Sequence, residues 1–105
     1  MREYSIVLPT HDNDGTCLAT LHTSLKRELI AQFDGYSATA QTGGWVNAEG
    51  ELFEEPSIRY TVCVPLYRDA FGLIKHIAKK YGILAGQQAM YVVLDGTVEI
   101  ITIGA

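Results

Sequence analysis

The chain has 105 residues, 48% hydrophobic and 19% charged, with a formal net charge of −4. These values exclude a disordered chain and fit one folded domain, 1–105, around a single core. The acidic balance opposes binding to a nucleic acid polymer or to an anionic membrane, because Lys26-Arg27 and Lys75 to Lys80 read as solvated helix faces.

Tyr4 to Leu8 alternates and ends at Pro9, a first strand. The polar loop Thr10 to Gly15 follows, and Asp14 or Thr16 can cap a helix over 16–33. Leu18, Leu21, Leu25, Leu29 and Phe33 stand at spacings of three and four, one apolar stripe. Asp34-Gly35 stops that helix, with Gly35 expected in the left-handed turn. A second strand runs from Tyr36 to Gln41 and continues extended to Asn47 through a glycine bulge at Gly43-Gly44. Ala48 to Glu51 is a hairpin tip, and Leu52-Phe53 begins the return.

Ser57 to Val64 alternates cleanly, with Ile58, Tyr60, Val62 and Val64 on one side and Ser57, Arg59, Thr61 and Cys63 on the other. A second helix follows Asp69, with Phe71, Ile74, Ile77, Ala78 and Tyr81 buried and Gly82 as its stop. Gln87 to Leu94 is a fourth strand. Asp95-Gly96 is a strong hairpin signal, since both central positions of such a turn want positive φ. Thr97 to Ile103 returns as an edge strand.

This order, β-α-β-β-α-β with an extra C-terminal strand hairpin, predicts an α+β, ferredoxin-like sandwich in which the first and third strands are interior. Both helices cover one sheet face. The other face then carries Ser5, Val7, Ser37, Thr39, Gln41, Arg59, Thr61, Cys63, Tyr91 and Val93. Cys17 and Cys63 are expected as small buried thiols, with no metal spacing and no disulfide. No apolar run nears about 18 residues and no leader-like segment opens the chain, so a soluble cytosolic protein is expected.

Four places can carry chemistry. Arg59 offers a planar fork suited to a small anionic ligand, unless Glu54 or Glu99 neutralises it. Trp45, beside Gly43-Gly44 and near Tyr36 and Phe53, can stack on a planar ring such as a nucleobase or anchor the hairpin to a neighbour. His11 beside Asp12 can act as acid–base or bind a metal, but no second histidine stands at ligand spacing, and turn and capping chemistry is the favoured reading of that loop. Glu54 and Glu55 can abstract a proton, but adjacent residues of a strand face opposite ways, so at most one enters a site. No nucleophile elbow, P-loop or zinc spacing is present, and no cofactor is expected.

The runs LPTHDNDG, FDGYSATAQTGGWVNAEGELFEEPSIRYTV and IAKKYGILAGQQAMYVVLDG resemble a group of short uncharacterised tailed-phage and prophage proteins. Phage genes of this size often resemble inhibitors of host defence that sequester nucleotide-derived signals. That resemblance implies a phage protein in the host cytosol that binds a nucleotide-like ligand through Arg59, Trp45, Tyr36 and Gln88, and the open-face reading adds Thr39 and Tyr91 as ligand contacts. The outline is also similar to phage-encoded S-adenosylmethionine (SAM) lyases, ferredoxin-like trimers with a glutamate before the third strand and a glutamine opening the fourth. This second resemblance implies roles for Glu54 or Glu55 and for Gln87 or Gln88. A protein inhibitor or structural subunit docking through the Trp45 hairpin is a third reading. A homo-oligomer is expected in each case, because the edge strand from Val98 to Ile103 is apolar.

Overall fold

The computed structural model describes residues 1–103. The elements are β1 (Arg2–Pro9), α1 (Ala19–Phe33), β2 (Ser37–Val46), β3 (Leu52–Val64), α2 (Phe71–Leu84), β4 (Ala89–Leu94) and β5 (Thr97–Thr102). The strands form one antiparallel sheet in the order β2-β3-β1-β4-β5. The fold is therefore the expected ferredoxin-like α+β sandwich with an added fifth strand, and β1 and β3 are interior.

The alternation along β3 sorts the sheet into two faces. Tyr60, Val62 and Val64 are buried in one core with Tyr4, Ile6 and Leu8 of β1 and Met90, Val92 and Leu94 of β4. Leu25 and Leu29 of α1 and Ile74, Ile77 and Tyr81 of α2 close that core from the same side. The helices are also joined to each other. The Tyr81 hydroxyl donates to Glu28 Oε2 at 2.9 Å, and Lys80 reaches the same carboxylate at 3.2 Å. Burial, first of all, pushes the Tyr81 hydroxyl pKa upward.

Several local expectations are corrected. Asp12 Oδ1 accepts from the N–H groups of Asp14 and Thr16, and His11 bridges Cys17 as a short antiparallel pair. That turn uses up the loop, so α1 starts only at Ala19, with no side-chain cap. At its other end Asp34, not Gly35, adopts the left-handed conformation, with φ 66°. There is no bulge at Gly43-Gly44. The β2–β3 register runs unbroken from Ser37↔Thr61 to Val46↔Leu52, and the turn closes at Gly50 with φ 82°. Asp69 Oδ1 does accept from the Phe71 N–H at 3.0 Å. Phe71 itself is exposed and packs its ring edge-on against Tyr4.

Gly82 does not stop α2; it lies buried inside it. A Cβ there would meet Met90 Cγ at 2.7 Å and Ile103 Cδ1 at 2.9 Å, so the glycine sets how closely α2 approaches β4. The turn comes later, at Gly86 with φ 66°. Asp95 and Gly96 both have positive φ, as the hairpin requires. Both thiols are exposed, contrary to expectation: Cys63 points to the open sheet face and Cys17 sits in the loop. Among the described residues, no helix is long and apolar enough to cross a membrane.

Candidate ligand site on the open sheet face

Strand parity places Arg59, Ser57, Glu55 and Phe53 of β3 on the face that the helices leave uncovered. Their β2 partners Thr39, Gln41, Gly43 and Trp45 lie opposite them on that face. Val7 pairs with Arg59 from the other side, and Tyr91 follows on β4. Ser5 and Thr61 join hydroxyls across this face at 2.8 Å.

A hollow of about 430 Å³ opens here, lined by Arg59, Trp45, Glu55, Gln87 and Tyr91 over a floor that includes Val7 and Pro9. A second hollow of about 520 Å³ adjoins it and shares the wall of Trp45, Glu55, Gln87 and Tyr91, adding Asn13, Gln88 and Ile100. Both lie within the roughly 300–1,000 Å³ usual for small-ligand sites. Strands and loops distant in sequence converge here because β3 and β4 flank β1.

The electrostatics are set by two groups. The Arg59 guanidinium makes no ion pair with a carboxylate among the described residues; its Cζ stands 5.9 Å from the Tyr91 ring centroid. Glu99 is held elsewhere, by Lys75 at 2.9 Å. Among the described residues, Glu55 is the one carboxylate on the walls of the two hollows. Trp45 and Phe53 stack at 4.7 Å with their planes 18° apart, and both rings are exposed. An exposed, preformed aromatic pair at the mouth of a hollow is suited to a planar ligand ring.

The candidate residues from the sequence divide. Arg59, Trp45 and Tyr91 line the first hollow, and Gln88 lines the second. Glu55 enters both, whereas Glu54 points to the opposite face, where Gly44 is its neighbour. Thr39 is exposed on the right face but beyond the hollow's rim. Tyr36 lies on the helix side, with its ring edge against Tyr60. His11 is bonded to the Thr10 hydroxyl and borders a separate hollow of about 270 Å³ beside α1. Its floor is a buried pair: His22 Nε2–H donates to the Pro9 carbonyl at 2.8 Å, and Nδ1 meets the Tyr60 hydroxyl. Burial, with Tyr36 adding to it, pushes the Tyr60 pKa up to about 12.

Asn13 and Ile100 were not singled out as site residues from the sequence, and Gln41 and Ser57 were placed on the Arg59 face without being named as ligand contacts. Gln41 and Ser57 share Arg59's strand parity, a signal that was present. Asn13 and Ile100 reach the site only through tertiary placement. Among the described residues, no three His, Cys, Asp or Glu side chains cluster as a metal site.

No protein-family profile matches the chain, and none of the curated proteins searched matches it. Solved structures do. A phage SAM lyase in complex with S-methyl-5′-thioadenosine superposes with a TM-score of 0.71 at 18% identity, over 95% of this chain and 88% of that one. A phage SAM lyase in its apo state gives 0.69 at 16% identity, over 98% and 90%. At such identities the likeness establishes the fold, and it matches the second resemblance read from the sequence.

Proposed function

We propose that the open-face hollow binds SAM and that the protein cleaves it to S-methyl-5′-thioadenosine. The observation that carries this reading is the meeting of Glu55 and Gln87 with Trp45, Arg59 and Tyr91 around one hollow. The fold it shares with phage SAM lyases, one of them bound to that thioadenosine, supports the choice of ligand.

A reaction that leaves this thioadenosine breaks the bond between sulfur and the γ-carbon of the amino-acid chain. In the intramolecular form, a carboxylate oxygen of the ligand bonds to that carbon and the C–S electron pair returns to sulfur. The sulfonium becomes a neutral thioether, and the remainder closes to a lactone. No water, base or external proton enters the balance. A carboxylate and a sulfonium annihilate their charges as they react, so an apolar floor that excludes water favours the step. The side chains then act by holding the ligand in a reactive pose. Arg59 aligns the carboxylate, Glu55 draws in the cationic centre, and Trp45 stacks on adenine. The reading also expects a homo-oligomer, because Trp45 and Ile100 border an open site and the Trp45–Phe53 stack and Val98 of β5 leave further apolar surface exposed. Light scattering tests that part; a monomer at micromolar concentration contradicts it.

Incubation with SAM followed by chromatography tests the reaction. Thioadenosine is expected from the wild type, and about tenfold less or lower from Glu55→Gln, since a charge-assisted contact is lost. Absence of product from the wild type refutes cleavage. Binding without product would favour a sequestering protein, a role that the unpaired guanidinium in the hollow suits.

A further inference from the structure

We infer that the two adjoining hollows divide a single ligand: the first takes a carboxylate-bearing amino-acid end, and the second takes the nucleoside. The inference rests on the SAM reading above and adds the residues that read each half.

The lobes differ in chemistry where they do not share a wall. Arg59 is the one cation lining either, and it borders only the first, with Ser57 and Gln41 as neighbouring hydrogen-bonding groups. A fork of N–H donors with no carboxylate partner among the described residues is matched by a ligand carboxylate. Among the described residues the second lobe holds no ionised group apart from the shared Glu55; its own residues are the amides of Asn13 and Gln88 and the apolar Ile100. Side-chain amides pair with the mixed donor and acceptor edge of a purine, and Trp45 on the shared wall supplies a stacking surface. Glu55 and Tyr91 stand between the lobes, where the linking sulfur would lie, and a carboxylate with a π face favours a cationic sulfur over a neutral one.

Asn13 thus becomes a specificity residue. It is carried to the site by the turn that Asp12 holds, Asp12 Oδ1 accepting from Thr16 N–H at 2.8 Å.

Calorimetry on the full chain with two stable probes tests the division. S-Adenosylhomocysteine carries both ends; S-methyl-5′-thioadenosine carries only the nucleoside. Arg59→Ala is expected to weaken adenosylhomocysteine about 10- to 150-fold, the loss of a charge-assisted pair, while thioadenosine changes less than about twofold. Arg59→Lys should recover part of the loss, since charge remains and the fork does not. Asn13→Ala combined with Gln88→Ala should weaken both probes by one common factor. If Arg59→Ala weakens both probes equally, or neither, the division is wrong although the site stands. If the wild type binds neither probe, the division falls together with the SAM reading.

Discussion

Replacing one glycine in α2 by alanine should lower stability, while the same change ten positions earlier should raise it. Gly72 and Gly82 both lie in the helix, neither has positive φ, and a Cβ at Gly72 meets nothing within 4 Å. Gly72→Ala therefore gains the intrinsic helix preference of alanine, up to about 1 kcal/mol. Gly82→Ala gains the same preference but places a methyl 2.7 Å from Met90 Cγ and 2.9 Å from two atoms of Ile103. Overpacking of this kind costs about 1–3 kcal/mol, and two neighbours crowded at once argue for the upper half of that range. The net effect is a loss of about 1–2 kcal/mol, which separates the two variants by about 2–3 kcal/mol. In a domain of this size that gap corresponds to roughly 10 °C or more in Tm. Urea unfolding followed by circular dichroism measures it. A Gly82→Ala protein as stable as Gly72→Ala would refute the packing argument.

Three further outcomes are expected. His22→Phe strips partners from the buried Pro9 carbonyl and the Tyr60 hydroxyl, and should cost about 2–4 kcal/mol by denaturant titration. The Tyr60 hydroxyl, held at about 12 against an ordinary 10.0, keeps its proton in the folded chain after the unfolded chain has lost it. Stability is then complete below pH 10 and falls between about pH 10 and 12, by roughly 2–3 kcal/mol at about 1.4 kcal/mol per pH unit; Tyr60→Phe should flatten that part of the profile. Cys17 and Cys63 are both exposed, so a thiol reagent should label both without denaturant; labelling that waits for unfolding would contradict their placement.

The architecture was legible because patterning and turn chemistry agreed. The alternation of Ser57 to Val64 fixed which residues of β3 face the helices, and Asp95-Gly96 took the positive φ that its hairpin signal requires. Local signals failed where two residues of similar aptitude stood side by side. Asp34 took the left-handed turn in place of Gly35, because a short polar side chain tolerates that conformation. Gly82 looked like a helix stop, but its lack of a side chain serves a close contact with β4, which no local pattern reveals.

The site was legible in part. Extending strand parity back from Arg59 through Ser57 selects Glu55 over Glu54, and extending it along β2 puts Tyr36 on the helix side. Both inferences were available from the sequence and depend only on the unbroken register. That Asn13 of the β1–α1 loop and Ile100 of β5 come up beside Trp45 was not available, because it depends on how the loop and the added strand lie against the sheet. The exposure of the cysteines was also hidden: small thiols are usually buried, and Cys63 escapes only because its sheet face carries no helix.

The sequence contains a single tryptophan, and that residue forms part of the wall shared by both hollows. Its fluorescence therefore reports on the site alone. Titration with S-methyl-5′-thioadenosine should give a saturable change in Trp45 emission, reduced in the Asn13→Ala, Gln88→Ala double variant. An emission spectrum that stays unchanged at millimolar thioadenosine would contradict a nucleoside site on the open face of this sheet.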